Sequence, residues 1–180
     1  QTCALPIYSI MKTQKTLKIT LLMFVFALGT WQTSVAQNKV IKLSKLPASP
    51  EEFIQMRNDL AQTPEGGAAM FIAAMLNMGV DEKLGMQCIT IAIDQSQLGS
   101  GNVYKGYKPG PGTMYHLNRL KRGSHGDFWK VAPKAYLKGA TLENGYKADL
   151  PYQVVTSRNR FSGNEASGKV KVFVAVAGFS

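Results

Sequence analysis

Residues 64–78 constrain the fold more than any other stretch. Thr63 and Pro64 supply an N-cap and a first helical residue. The helix they open carries Met70, Phe71, Ile72, Met75, Leu76 and Met78 around its whole circumference. A helix that is apolar all round must be buried on most sides, so the rest of the chain has to wrap it. Gly79 follows and is expected to end it in a left-handed residue.

The neighbours of this helix announce themselves by similar signals. Ser49-Pro50-Glu51-Glu52 reads as a capping box, with Ser49 as N-cap and Glu52 reaching back to it. Phe53, Met56 and Leu60 then line one face of a helix expected to end near Gln62. From Asp81 to Asp94 the pattern is double: Leu84, Cys88 and Ile91 make a helical stripe, while Ile89, Ile91 and Ile93 alternate like a strand. The Asp81 cap favours helix. Upstream, Lys39 to Leu46 alternates weakly and is compatible with an extended arm or a first strand.

Gly99 to Gly112 reads as a loop punctuated by Gly and Pro, and Thr113 to Arg122 as a short helix stopped by Gly123 with bases in its last turn. Beyond it, Phe128–Val131, Tyr152–Ser157 and Lys169–Phe179 are rich in aromatic or branched residues and are expected to be strands. Helices followed by strands predict an α+β fold, with a helical N-terminal half followed by a small antiparallel sheet. The last strand reaches the end of the sequence without a further partner, which predicts a C-terminally incomplete domain.

The front of the chain is expected to be no part of that domain. The first Met is Met11, and Gln1-Thr2-Cys3-Ala4-Leu5-Pro6-Ile7 matches the translation of a sequencing-library adapter, so residues 1–10 read as an assembly artefact. From Met11, three lysines, an apolar stretch from Ile19 to Leu28 and the small residues of Ser34-Val35-Ala36 form a signal peptide over 11–36. Ten residues at about 1.5 Å each are too few to cross a hydrocarbon core of roughly 30 Å, so no stable membrane span is expected after cleavage. The mature chain, 37–180, is expected to be one domain, periplasmic or extracellular. It holds a single cysteine, Cys88, so an internal disulfide is excluded.

Charge is unevenly placed. Residues 37–100 hold five bases against seven acids, a balance of −2, and residues 101–180 hold thirteen against four, a balance of +9. Within 101–138, Lys105, Lys108, Arg119, Lys121, Arg122, Lys130, Lys134 and Lys138 face Asp127 alone, interleaved with Tyr104, Tyr107, Tyr115, Phe128 and Trp129. Bases beside aromatics suit an acidic glycan or other polyanion. The candidate binding residues are Lys105, Tyr107, Lys108, Arg119, Lys121, Arg122 and Trp129. A solvated charged face over an aromatic core is the competing reading.

Catalytic patterns are weaker. Gly163-Asn164-Glu165-Ala166-Ser167-Gly168-Lys169 matches seven positions of a phosphate-binding loop, but Val170 stands where a magnesium-binding hydroxyl belongs, and a hairpin loop explains it better. Cys88 with His116 or His125 offers a thiol and a base for a hydrolase, although Cys88 sits among apolar neighbours as a core cysteine would. The two histidines and Cys88 lack the paired spacings of zinc ligands, and no cofactor site is expected. A non-enzymatic interaction or envelope-associated module is therefore the preferred function, with the cysteine hydrolase as the alternative.

Tyr136-x-x-Gly139-Ala140-Thr141-x-Glu143-Asn144-Gly145-Tyr146, followed by Pro151-Tyr152, resembles a signature of uncharacterised exported proteins from Bacteroidetes-type bacteria. The Ala-Ala-Met-Phe helix and the Tyr-Lys-Gly-Tyr-Lys-Pro segment are similar to the same family. The resemblance implies a chain that continues past the last strand, and it brings no activity, cofactor or functional residue with it. Asn144-Gly145 is in any case a turn pair, so a turn scaffold between Tyr136 and Tyr146 accounts for the signature physically.

Overall fold

A computed structural model describes residues 37–122 and 127–177. The prefix, the leader and its cleavage junction, Gly123, His125 and Phe179 lie outside the described residues. The fold is α+β: helices gather mostly in the first half, around small antiparallel sheets of three and two strands.

The first strand, β1 (Gln37–Leu43), settles the ambiguous arm as a strand. Ile41 and Leu43 point into the core while Val40 and Lys42 are exposed, the period-two pattern of a half-buried strand. Helix α1 (Pro50–Leu60) starts where its cap predicts: the Ser49 hydroxyl accepts from the Glu52 amide at 3.2 Å. The Glu52 carboxylate, however, accepts from Ala48 N at 2.6 Å rather than from the cap residue itself, so the box closes one residue early.

Helix α2 (Pro64–Val80) is the buried centre, with Ala69, Met70, Ile72, Ala73, Leu76 and Met78 all in the core. It packs against α1, β1 and α3 (Glu82–Ala92). Gly79 does not stop it. The helix runs one residue further, to Val80, and turns at Asp81, whose extended backbone ends α2 while its carboxylate accepts from Leu84 N and opens α3. Gly79 is needed for proximity instead: a Cβ there would lie 2.6 Å from the carbonyl oxygen of Lys130. Gly85 has the same role between α2 and α3, where a Cβ would lie 2.1 Å from the Met78 Cα.

The segment after α3 departs from the expected loop. It forms a hairpin of β2 (Leu98–Tyr104) and β3 (Tyr107–Pro109), turned on Lys105 and Gly106, both with positive φ (46° and 85°). The first strand of the hairpin is mostly half-buried but carries Gly, Ser and Asn, so no apolar alternation betrays it. Helix α4 (Pro111–Arg122) follows at once.

Phe128–Val131, expected as a strand, is the short helix α5, continued by a 3-10 turn over Ala132–Tyr136. Its backbone lies against Gly79, a contact invisible to local propensity. The expected strand near Tyr152 is β4 (Tyr152–Arg158), which pairs along its whole length with β1. The last strand is much shorter than expected: only Phe173–Val174 (β5) pairs with β4, giving the order β1-β4-β5. On either side the backbone leaves the sheet, with Lys171 N donating to Ser162 O and Ala177 N to Ala135 O.

The signature between Tyr136 and Tyr146 is a turn scaffold organised by Asn144. Its Oδ1 accepts from Thr141 N and Lys147 N, and its Nδ2 donates to Gly139 O and Lys147 O. Gly139, Gly145 and Tyr146 all have positive φ there.

Candidate functional site

The seven candidate binding residues fall into two groups. Lys105, Tyr107 and Lys108 belong to the hairpin and all three are exposed. Arg119 and Arg122 are exposed on the last turn of α4, and neither forms an ion pair among the described residues. Lys121 and Trp129 are engaged with the fold. Lys121 pairs with Glu82 at the start of α3, and its ammonium lies 5.1 Å from the Trp129 ring centroid. Lys130 lies on the same ring at 5.7 Å while pairing with Asp127 at 3.1 Å. Trp129 itself packs against the core. The pairing joins α4, α5 and α3, which gives Lys121 and Trp129 a structural task.

Lys105 and Tyr107 of the hairpin group open onto a cleft of about 740 Å³, within the range of ordinary small-molecule sites, while Lys108 does not line it. Tyr104, Lys105 and Tyr107 line it from the hairpin, Arg57 from α1, and Asp94 from the turn after α3. Ile54, Ile91 and Leu98 supply apolar surface. Arg57 is oriented by one hydrogen bond, from Nη1 to Ile91 O at 2.8 Å at the end of α3. Asp94 caps the 3-10 turn that follows it, accepting from Ser96 N at 2.9 Å. The Ser96 hydroxyl, joined by that backbone bond, holds its carboxyl below the ordinary aspartate range. Tyr104 is held under Lys105, whose ammonium lies 5.3 Å from its ring centroid. The Tyr104 hydroxyl is buried and has no hydrogen-bond partner among the described residues.

Sequence reasoning missed Arg57 and Asp94 as members of this site. Arg57 lies 48 positions before Lys105 on a helix whose pattern speaks only of its buried face, and nothing local signals where its exposed face leads.

The phosphate-loop-like segment lies between β4 and β5, with Asn164 capping a 3-10 turn over Glu165–Ser167 and Gly168 in the left-handed region. Extended chain follows, not a helix, so the segment is a loop between antiparallel strands. It borders a second cleft, of about 780 Å³, whose charged lining residues are Asp94 and Glu165. Arg158 holds the loop down, pairing with both Glu165 and the buried Glu65.

Cys88 is fully buried in α3 and receives a weak hydrogen bond from Asn77 Nδ2 at 3.8 Å. Burial pushes its thiol up to about 11, which leaves it protonated at neutral pH. His116 is exposed on α4 and stacks edge-on against Tyr115. Among the described residues no three His, Cys, Asp or Glu side chains gather as a metal-binding group, and no helix is long and apolar enough to cross a membrane.

Searches of curated proteins and of solved structures each find no match. A family model spans residues 45–180, from the connection after β1 through all the elements that frame the cleft. The chain belongs to the family described as Domain of unknown function (DUF6935).

Proposed function

We propose that this protein is an exported, non-catalytic interaction module that binds acidic polymers, such as an envelope glycan, through the basic and aromatic surface of residues 101–138. The observation that carries the reading is a set of four exposed cations, Lys105, Lys108, Arg119 and Arg122, with no acidic partner among the described residues. Exposed Tyr107 and Tyr115 stand beside them. Charges of one sign left unpaired repel one another and make a field that attracts a polyanion. Lys121 and Trp129 contribute from within, by fixing the helix that presents Arg119 and Arg122.

The leader-like residues 11–36 support export and place such a ligand in the periplasm or outside the cell. Binding of this kind needs no cofactor or metal. A hydrolase built on Cys88 finds no support in its surroundings, since the thiol is buried and protonated while His116 faces solvent.

The test is retention on heparin as salt is raised. Release of counterions from a polyanion makes affinity fall steeply with salt, and exposed charges are screened beyond about 8 Å at physiological ionic strength. Retention at low salt that is lost progressively as salt rises is the expected result. Passage through the column at low salt would refute the reading.

A further inference from the structure

The cleft framed by Arg57, Asp94, Tyr104, Lys105 and Tyr107 has a chemistry more selective than a charged surface. Its cations come from two different elements. Arg57 uses one N–H donor on Ile91 O, so its remaining donors are free to form a fork on a carboxylate. Lys105 adopts a positive φ of 46°, a conformation rare for a residue with a side chain, and its ammonium lies over the Tyr104 ring at the cleft wall.

A site made only to hold strong anions would not include an aspartate. Asp94 lines the same cleft, and the Ser96 interactions that stabilise its ionised form keep it an acceptor. It would repel a multiply charged phosphate, yet it accepts hydrogen bonds from hydroxyl groups. Tyr107, 47% exposed, offers an aromatic face to the C–H side of a sugar ring. Tyr104 lines the cleft, and its hydroxyl, buried and without a partner among the described residues, has a hydrogen bond still to be made.

We propose that this cleft binds a uronic-acid unit of an acidic glycan, with its carboxylate on Arg57 and Lys105, its ring on Tyr107, and its hydroxyls on Asp94 and Tyr104. The ligand class rests on the acidic-polymer reading, and the site adds selectivity for carboxylated sugars to a surface that otherwise attracts any polyanion.

The experiment measures binding of trigalacturonate and of the neutral galactose trimer by calorimetry, alongside heparin retention, for the native chain, Tyr104→Phe and Arg57→Gln. Expected is saturable binding of trigalacturonate, at least tenfold tighter than the neutral trimer. Tyr104→Phe, which changes no charge, should weaken it at least fivefold without altering heparin retention or the melting temperature. Arg57→Gln should weaken it further, and Tyr107→Ser, at an exposed position, provides a variant safe from misfolding that should lose affinity too. Native protein retained on heparin but blind to trigalacturonate overturns the cleft and leaves the polymer reading standing. Trigalacturonate binding that survives all three substitutions places the ligand elsewhere and also overturns it. Neither retention nor trisaccharide binding would remove both proposals.

Discussion

Two buried groups show how single residues are committed to the fold. Cys88 has no exposed surface, and its thiol is pushed up to about 11 by burial, so the reactive thiolate is scarce at neutral pH. A thiol reagent should therefore label the native protein far more slowly than the denatured one, in a time course followed by mass spectrometry. Labelling at the denatured rate would mean that α3 opens freely. Glu65, buried at the start of α2, is held below the ordinary carboxylate range chiefly by its hydrogen bonds from Arg158. The unfolded chain then takes up a proton at higher pH than the folded one. The contribution is complete above the ordinary glutamate value of 4.5 and is lost as pH falls through the lower folded value. Acid unfolding of Glu65→Gln should accordingly show a shallower loss of stability below that pH than the native chain; identical acid curves would contradict the assignment.

At the scale of elements, helix packing depends on glycine where backbones meet. Gly85 sits where a Cβ would be 2.1 Å from Met78 Cα and 2.2 Å from Met78 N, and neither backbone atom can swing aside. Gly85→Ala gains about 1 kcal/mol of helix propensity. Overpacking costs typically 1–3 kcal/mol, occasionally more, and this clash belongs at the upper end. The expected outcome is a net loss of about 2 kcal/mol, read as a melting temperature lower by roughly 5 °C. An unchanged or higher melting temperature would refute the close approach. The helices α1, α2 and α3 were legible because their caps are local: Ser49, Thr63 and Asp81 each bond an amide three residues on. Elements decided by distant contacts were not. Nothing near Phe128 tells that the Lys130 backbone, two residues on, will press on Gly79, and the hairpin turned on Lys105 carries no apolar period to read.

For the whole molecule, the sequence reveals the charge asymmetry but not its arrangement. The basic segment was readable as composition, whereas only the fold separates Lys121 and Trp129, tied to Glu82 and the core, from Lys105, Lys108, Arg119 and Arg122, which remain exposed. Arg57 and Asp94 joined the site through the packing of α1 on α3 and of α3 against the hairpin, a relation spread over tens of residues. The four exposed cations are the central claim. They can be removed with little disturbance, using Asn at Lys105, where positive φ is tolerated, and Gln at the other three. The direct measurement is heparin retention at low salt for the native chain and this fourfold variant, with circular dichroism confirming an unchanged fold. The account predicts that the variant passes through at a salt concentration where the native protein is held; equal retention of the two would contradict it.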